Sequence, residues 1–257
     1  MSASSVRTPK PQSAHVVDDQ AAENIPLKMR VMPCWVAWRW ECRDGKWTKP
    51  PIDPLTGKSL DATGPDSWMT FDKARELARR HGDGIGLALG EKDNPSGFVP
   101  PDIDHCIDDQ GNIDPRALDL VKRFDSYAER TPSGRGLRIW VRGKKPGDKC
   151  KRPSHKDKFI AKIELYEHSR YMTVTGRILE GVPSAIATRQ TALDELYGAM
   201  FGTGGNHQGN GQPHATNPVA VSDEALLELQ GLRITIGYSG NLGGLYVFVL
   251  YSIAGLE

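Results

Sequence analysis

The chain has 257 residues, with 33 Lys and Arg against 32 Asp and Glu and a formal charge of +1. That length supports one good core plus a small appendage, and so balanced a charge excludes polyanion binding by overall composition, leaving it to local clusters. Four cysteines, Cys34, Cys42, Cys106 and Cys150, lack Cys-x-x-Cys spacing, which argues against a zinc knuckle or disulfide framework and for reduced thiols. No apolar stretch follows the first basic residues, and the apolar run Leu245 to Ala254 is about half the length a membrane helix needs. A soluble, cytoplasmic protein without a membrane partner is expected.

Residues 1–23 are rich in Ser, Ala, Pro and Gln without an apolar period, which predicts a disordered tail. A folded domain is expected over 24–201. Trp35-Val36-Ala37-Trp38-Arg39-Trp40 reads as a strand, and Asp44-Gly45 as a hairpin turn leading to a strand around Trp47. Thr70 precedes Phe71, Ala74, Leu77 and Ala78, whose spacing fits one face of a capped helix ending near Arg80. Gly84 to Gly90 reads as a buried strand. Asp114-Pro115 supplies an N-cap and a first-turn proline to a second helix with Leu118, Val121 and Phe124 on its apolar face. Further strands are predicted over Ser126–Arg130, Gly136–Arg142 and Lys162–Thr175, then a third helix over roughly Ala187–Met200. The Gly- and Asn-rich stretch 202–221 predicts a linker. Ser222 to Leu227 reads as the start of a helical domain, yet Ile234 to Leu256 contains no charged residue. That change of character predicts a truncated or frame-shifted end over 222–257. Strands interleaved with helices predict an α+β core.

Asp102 and Asp104 carry the clearest chemistry. In a strand, side chains at i and i+2 share a face, and two carboxylates that close repel unless a cation lies between them. Hard divalent ions such as magnesium or manganese take such oxygens. Glu164, in Ile163-Glu164-Leu165-Tyr166, would complete the cradle from a neighbouring strand. The turn Ser133-Gly134-Arg135-Gly136 permits close backbone approach to an anion, although alone it is equally a hairpin. Taken singly, the aspartates are as readily a solvated strand end, Glu164 a surface residue and Tyr171 a cross-strand packing residue. His105 and Cys106 read as packing residues, and the tryptophans as core. From Arg142 to Lys162, Arg142, Lys144, Lys145, Lys149, Lys151, Arg152, Lys156, Lys158 and Lys162 face only Asp148 and Asp157. With Pro146 and Pro153 this segment reads as a loop, either a solvated surface or a clamp gripping phosphates without reading sequence.

The order of these features resembles a known family: a Trp hairpin, Lys49-Pro50-Pro51, Asp102-Ile103-Asp104-His105-Cys106, Thr131-Pro132-Ser133-Gly134-Arg135-Gly136-Leu137, Ile163 to Tyr166, Arg170-Tyr171 and Thr173-Val174-Thr175-Gly176. It is that of the primase–polymerase domain of phage and plasmid replication proteins, in the archaeo-eukaryotic primase superfamily, over about residues 25–180. The resemblance implies a mixed sheet core flanked by helices. It also implies nucleotidyl transfer from nucleoside triphosphates on a single-stranded DNA template. Asp102, Asp104 and Glu164 would be catalytic ligands of two divalent ions, Mg2+ or Mn2+. Ser133, Gly134, Gly136 and Arg138 would bind nucleotide phosphates, with Arg170 on the triphosphate and Tyr171 against the sugar or base. Lys49, Lys144, Lys145, Lys151 and Arg152 become candidate template contacts, and a replicative helicase a candidate partner.

Three features depart from that family. Where it carries a histidine two residues after the second glycine of the turn, this chain has Arg138, which keeps positive charge but changes donor geometry. Pro100-Pro101 precede Asp102, and two missing N–H donors are expected to interrupt sheet pairing there. The third is the uncharged end of the chain. Arg138 and that end keep open a second reading, a non-catalytic remnant that binds nucleotide or single-stranded DNA. A metal phosphohydrolase using Asp102 as nucleophile needs a downstream lysine and acidic pair that the sequence lacks.

Overall fold

The structure is a computed structural model that describes residues 10, 17–53, 56–59, 62, 64–91, 94, 96–151 and 162–202, and the backbone of 233–237 and 248–252. The chain divides into two compact units, Met1–His207 and Gln208–Glu257.

The first unit begins with α1 (Asp19–Asn24) and α2 (Leu27–Arg30). Asp18 caps α1 by accepting from the Ala21 N–H at 2.7 Å, and Val17, Ala22 and Ile25 are buried. Residues 17–23, expected in the tail, therefore belong to the folded unit. Their polar composition hides a few apolar anchors and a helix cap.

Next come β1 (Trp35–Trp38), β2 (Glu41–Arg43), β3 (Lys46–Thr48), β4 (Pro51–Ile52), α3 (Phe71–His81) and β5 (Gly84–Ala88). Asp44 and Gly45 take φ of 50° and 73°, giving the primed turn that matches strand twist between β2 and β3. α3 is capped by Thr70 and buries Phe71, Ala74, Leu77 and Ala78, as their spacing predicts. The unit continues with β6 (Pro101–Asp104), α4 (Pro115–Phe124), β7 (Ala128–Arg130), β8 (Leu137–Ile139), β9 (Val141–Arg142), β10 (Lys162–Leu165), β11 (Tyr171–Val174), β12 (Ala187–Thr188) and α5 (Gln190–Phe201). Ala187–Thr188, expected as the first turn of the third helix, is instead a strand parallel to β9. The Arg189 N–H donates to the Arg142 carbonyl at 3.0 Å, so tertiary pairing overrides a weak local helix preference.

Two four-stranded antiparallel sheets result, in the orders β11-β5-β1-β4 and β10-β6-β8-β7. Pro101 opens β6 opposite Leu165, and pairing with β8 starts only at Asp102. The prolines therefore begin the strand instead of interrupting it.

Alternation makes the second sheet two-faced. Ile103, Leu137, Ile139, Ile163 and Leu165 are buried in one cluster with Val121 and Phe124 of α4 and Leu193, Leu196 and Met200 of α5. Each such side chain contributes about 1.5–3 kcal/mol on leaving water. The intervening positions, Asp102, Asp104, Glu129, Arg138, Lys162 and Glu164, share the opposite face. On that side Tyr127, Trp140 and Tyr166 join the core of the other sheet.

In the second unit, β13 (Arg233–Gly237) and β14 (Phe248–Ser252) pair antiparallel. The described part of 222–257 is strand, in keeping with the β-branched and aromatic residues there, and lies beyond Ser222–Leu227, where the helical domain was expected to begin. Ser222–Leu227 and nearly all of the expected linker lie outside the described residues. Among the described residues no helix is long and apolar enough to cross a membrane.

Candidate active site

Glu164 of β10, Asp102 of β6, Arg138 of β8 and Glu129 of β7 stand directly opposite one another, a row of side chains crossing all four strands. Asp104 and Lys162 face each other in the next row. Directly opposed residues share a sheet face, so the register brings Asp102, Asp104 and Glu164 to one surface.

Three cations neutralise that surface, Arg138, Lys162 and Lys151. Arg138 donates from Nη2 to Asp102 Oδ1 at 2.9 Å, and from Nη1 to Thr173 Oγ1 at 2.6 Å and to the Thr173 carbonyl. Its side chain is only 6% exposed. Lys162 Nζ lies 2.7 Å from both Asp104 Oδ2 and Glu164 Oε1, and its side chain is 42% exposed. Burial pushes the Asp102 carboxyl up, opposed by the Arg138 guanidinium and reinforced by Asp104. For Glu164 burial also pushes upward, but Lys162, the Tyr166 hydroxyl and Lys151 together hold it below the usual carboxylate range.

Glu164 Oε2 accepts from the Tyr166 hydroxyl at 2.9 Å. Glu164 Oε1 is buried and outside the hydrogen-bond network, and Lys162, with Lys151 at 3.2 Å, reaches it as an ion pair. Among the described residues no three His, Cys, Asp or Glu side chains converge on one ion position. Asp102 is taken up by Arg138. Asp104 and Glu164 do suit a hard cation: they already bracket one positive nitrogen, and one of their oxygens is buried outside the hydrogen-bond network.

The glycine turn lies beside this face. Gly134 takes φ 71°, and its N–H donates to the Thr131 carbonyl at 2.9 Å. Gly136 packs so closely on β6 that a Cβ there would lie 2.8 Å from the Ile103 carbonyl oxygen and 3.5 Å from Asp104 Cα. Arg170, exposed, stacks with Cζ 4.1 Å from the centre of the Tyr166 ring. Tyr171 lies over Gly86 and donates its hydroxyl to the Lys49 carbonyl, and burial pushes its pKa upward. The Lys49 ammonium sits 4.8 Å over the Trp40 ring. Burial and the Arg138 charge lower its pKa, while Asp102 and Asp104 partly offset them.

The candidate template contacts divide. Lys49 and Lys151 stand at the carboxylates. Lys144 and Lys145 instead belong to a loop docked on α5, where the Lys144 N–H donates to Gln190 Oε1 at 2.8 Å and Lys145 Nζ lies 5.9 Å over the Tyr197 ring. The loop returns along the outer edge of β10 and pairs with it, the Leu165 N–H donating to the Cys150 carbonyl at 2.8 Å. Its cations thus run from α5 round that edge to Glu164. Arg152 lies outside the described residues. His105, expected to pack, is exposed at φ 57° and lines a cleft of about 730 Å3 with Asp108, Arg116 and Arg135, while Cys106 is buried.

Sequence reasoning missed Glu129, which is fully buried and accepts from Trp140 Nε1, the Tyr127 hydroxyl and the N–H groups of Thr175 and Gly176. The one signal was its alternation with Tyr127 in a strand. The tilted rings of Tyr197 and Phe201, with centres 4.7 Å apart beside the basic loop, were also missed.

Strand-borne carboxylates beside a glycine turn, in an α+β core, are the arrangement that the resemblance to primase–polymerase domains implies. Over 202 residues the chain is 34% identical to the DNA primase-polymerase of Nitratiruptor phage NrS-1, a match covering 76% of this chain and 26% of the relative. The chain thus spans about a quarter of that relative's length. No protein-family model matches it. The match, together with the ordered motifs, supports a phage primase–polymerase domain in the folded unit.

Proposed function

We propose that this domain joins nucleotides on a single-stranded DNA template, using nucleoside triphosphates. The observation that supports this reading is the β6–β10 register, with Glu164 opposite Asp102 and Lys162 opposite Asp104. A divalent cation, Mg2+ or Mn2+, held by Asp104 and Glu164 with Asp102 alongside, would neutralise the triphosphate and acidify the attacking 3′-hydroxyl.

The chain's own residues bind and orient. Arg170 offers a planar fork to the triphosphate, and the Ser133–Gly136 backbone offers N–H groups to its oxygens. The Tyr171 ring bounds the space for the sugar. Lys49 and Lys151 hold template phosphates near the carboxylates, and Lys144 and Lys145 continue that path along the loop. A replicative helicase is the partner such a domain would work beside.

Primer extension on a single-stranded template with Mn2+ or Mg2+ tests the reading. The natural chain is expected to extend, and Asp104→Ala and Glu164→Gln to fail; a natural chain that does not extend overturns it. The sealed Asp102–Arg138 pair favours a second reading, a domain that holds nucleotide or single-stranded DNA without transfer. Extension by Arg138→His alone would decide for that reading.

A further inference from the structure

Three cations stand on the carboxylate face, Arg138, Lys162 and, at 3.2 Å from Glu164, Lys151, and the first two are not equivalent. Arg138 is tied to Asp102 on one side and Thr173 on the other, with its side chain 6% exposed. Withdrawing it would leave a buried, unpaired carboxylate, so the guanidinium is fixed. Lys162 is a flexible, strongly hydrated ammonium, 42% exposed, with its nitrogen 2.7 Å from each of two carboxylates. Swinging it into water gives up two ion pairs but keeps the ammonium hydrated, and it frees a pair of oxygens, one of them buried outside the hydrogen-bond network. A dication at that point gains twice the charge at the same distances.

We propose that this face binds a single divalent cation, between Asp104 and Glu164 at the place of the Lys162 ammonium, and that Arg138 permanently fills at Asp102 the charge role of a second cation. The inference rests on reading Asp104 and Glu164 as cation ligands. Lys162 is then an internal competitor that sets how much free cation the site needs. Arg138 is a positioning residue acting through Asp102.

Binding of Mn2+ to the full chain, followed by electron paramagnetic resonance of the free ion, tests this without reference to turnover. One Mn2+ per natural chain is expected, with Glu164→Gln abolishing it. Lys162→Ala should still bind one, roughly tenfold more tightly. Arg138→His should bind two. Two ions per natural chain overturn the single-ion site, and unchanged affinity in Lys162→Ala overturns the competition. Lys162 is half-exposed, so its variant keeps the fold, and with the natural chain it decides the matter even where Arg138→His fails to fold. Chains that bind no Mn2+ overturn the ligand reading as well. A single Mn2+ site without primer extension instead sinks the proposed function and leaves this inference standing.

Discussion

Arg138 and Asp102 meet at 2.9 Å with side chains only 6% and 14% exposed. Removing one partner of a pair so sealed leaves an uncompensated buried charge, at a cost of about 3–5 kcal/mol. Asp102→Ala is therefore expected to lower the unfolding midpoint by roughly 10 °C in scanning calorimetry. Asp104→Ala, whose partner Lys162 reaches water, should lower it by about 2 °C or less. Equal shifts would contradict this difference in burial.

Glu129 gathers N–H donors from Thr175 at 3.0 Å, Gly176 at 2.8 Å and Trp140 at 3.2 Å, and the Tyr127 hydroxyl at 3.1 Å. Truncation strands all of them, and each buried orphan costs about 1–3 kcal/mol. Glu129→Ala should lose its cooperative thermal transition. Glu129→Gln, which keeps one acceptor, should retain a transition at lower temperature. A Glu129→Ala variant as stable as the natural chain would refute the role.

Gly136 leaves no room for a side chain: a Cβ would stand 2.8 Å from the Ile103 carbonyl oxygen and 2.9 Å from Thr131 Oγ1. Gly136→Ala must push the turn off β6. Nucleoside triphosphate affinity, measured by calorimetry, is expected to fall roughly tenfold from this displacement, with single-stranded DNA affinity unchanged. Equal losses of both would mean the turn serves the fold rather than the nucleotide.

Lys144 and Lys145 are set on the loop against α5 rather than at the carboxylates. If they grip template phosphates, replacing either by alanine weakens single-stranded DNA binding. The slope of log affinity against log salt should shrink by about 0.7 for each phosphate no longer neutralised. Fluorescence anisotropy across a salt series reads the slope, and an unchanged slope assigns both lysines to solvent.

Asp114 caps α4 by accepting from the Arg116 N–H at 2.9 Å, and its ion pair with the Arg116 guanidinium holds its carboxyl below the usual range. A depressed folded value means the stabilisation is complete above the unfolded carboxylate value. It is lost as pH falls through the folded one. Asp114→Ala should cost about 1 kcal/mol at neutral pH. The difference from the natural chain should vanish in strong acid, as chemical denaturation at several pH values would reveal.

The elements with strong local signatures were legible in the sequence. Thr70 and Asp114 cap the expected helices, and Asp44-Gly45 makes the expected turn. The i, i+2 spacing of Asp102 and Asp104 placed them on one face, and the strand pattern put Glu164 beside them. Partners set by long-range register were not legible. Nothing near Arg138 in sequence announces Thr173, and Glu129 looks like any strand carboxylate until its row is assembled. Ala187–Thr188 lies on a helical period yet pairs with β9, because tertiary pairing outweighs so weak a local preference.

Thr173 belongs to the sheet that carries Tyr171, and Asp102 to the other, so one guanidinium spans both halves of the site. The sheets cannot slide past each other without parting Arg138 from one of these residues. Spacing between the strand of Tyr171 and the strand of Asp102 is thereby locked, like a caliper set to one width.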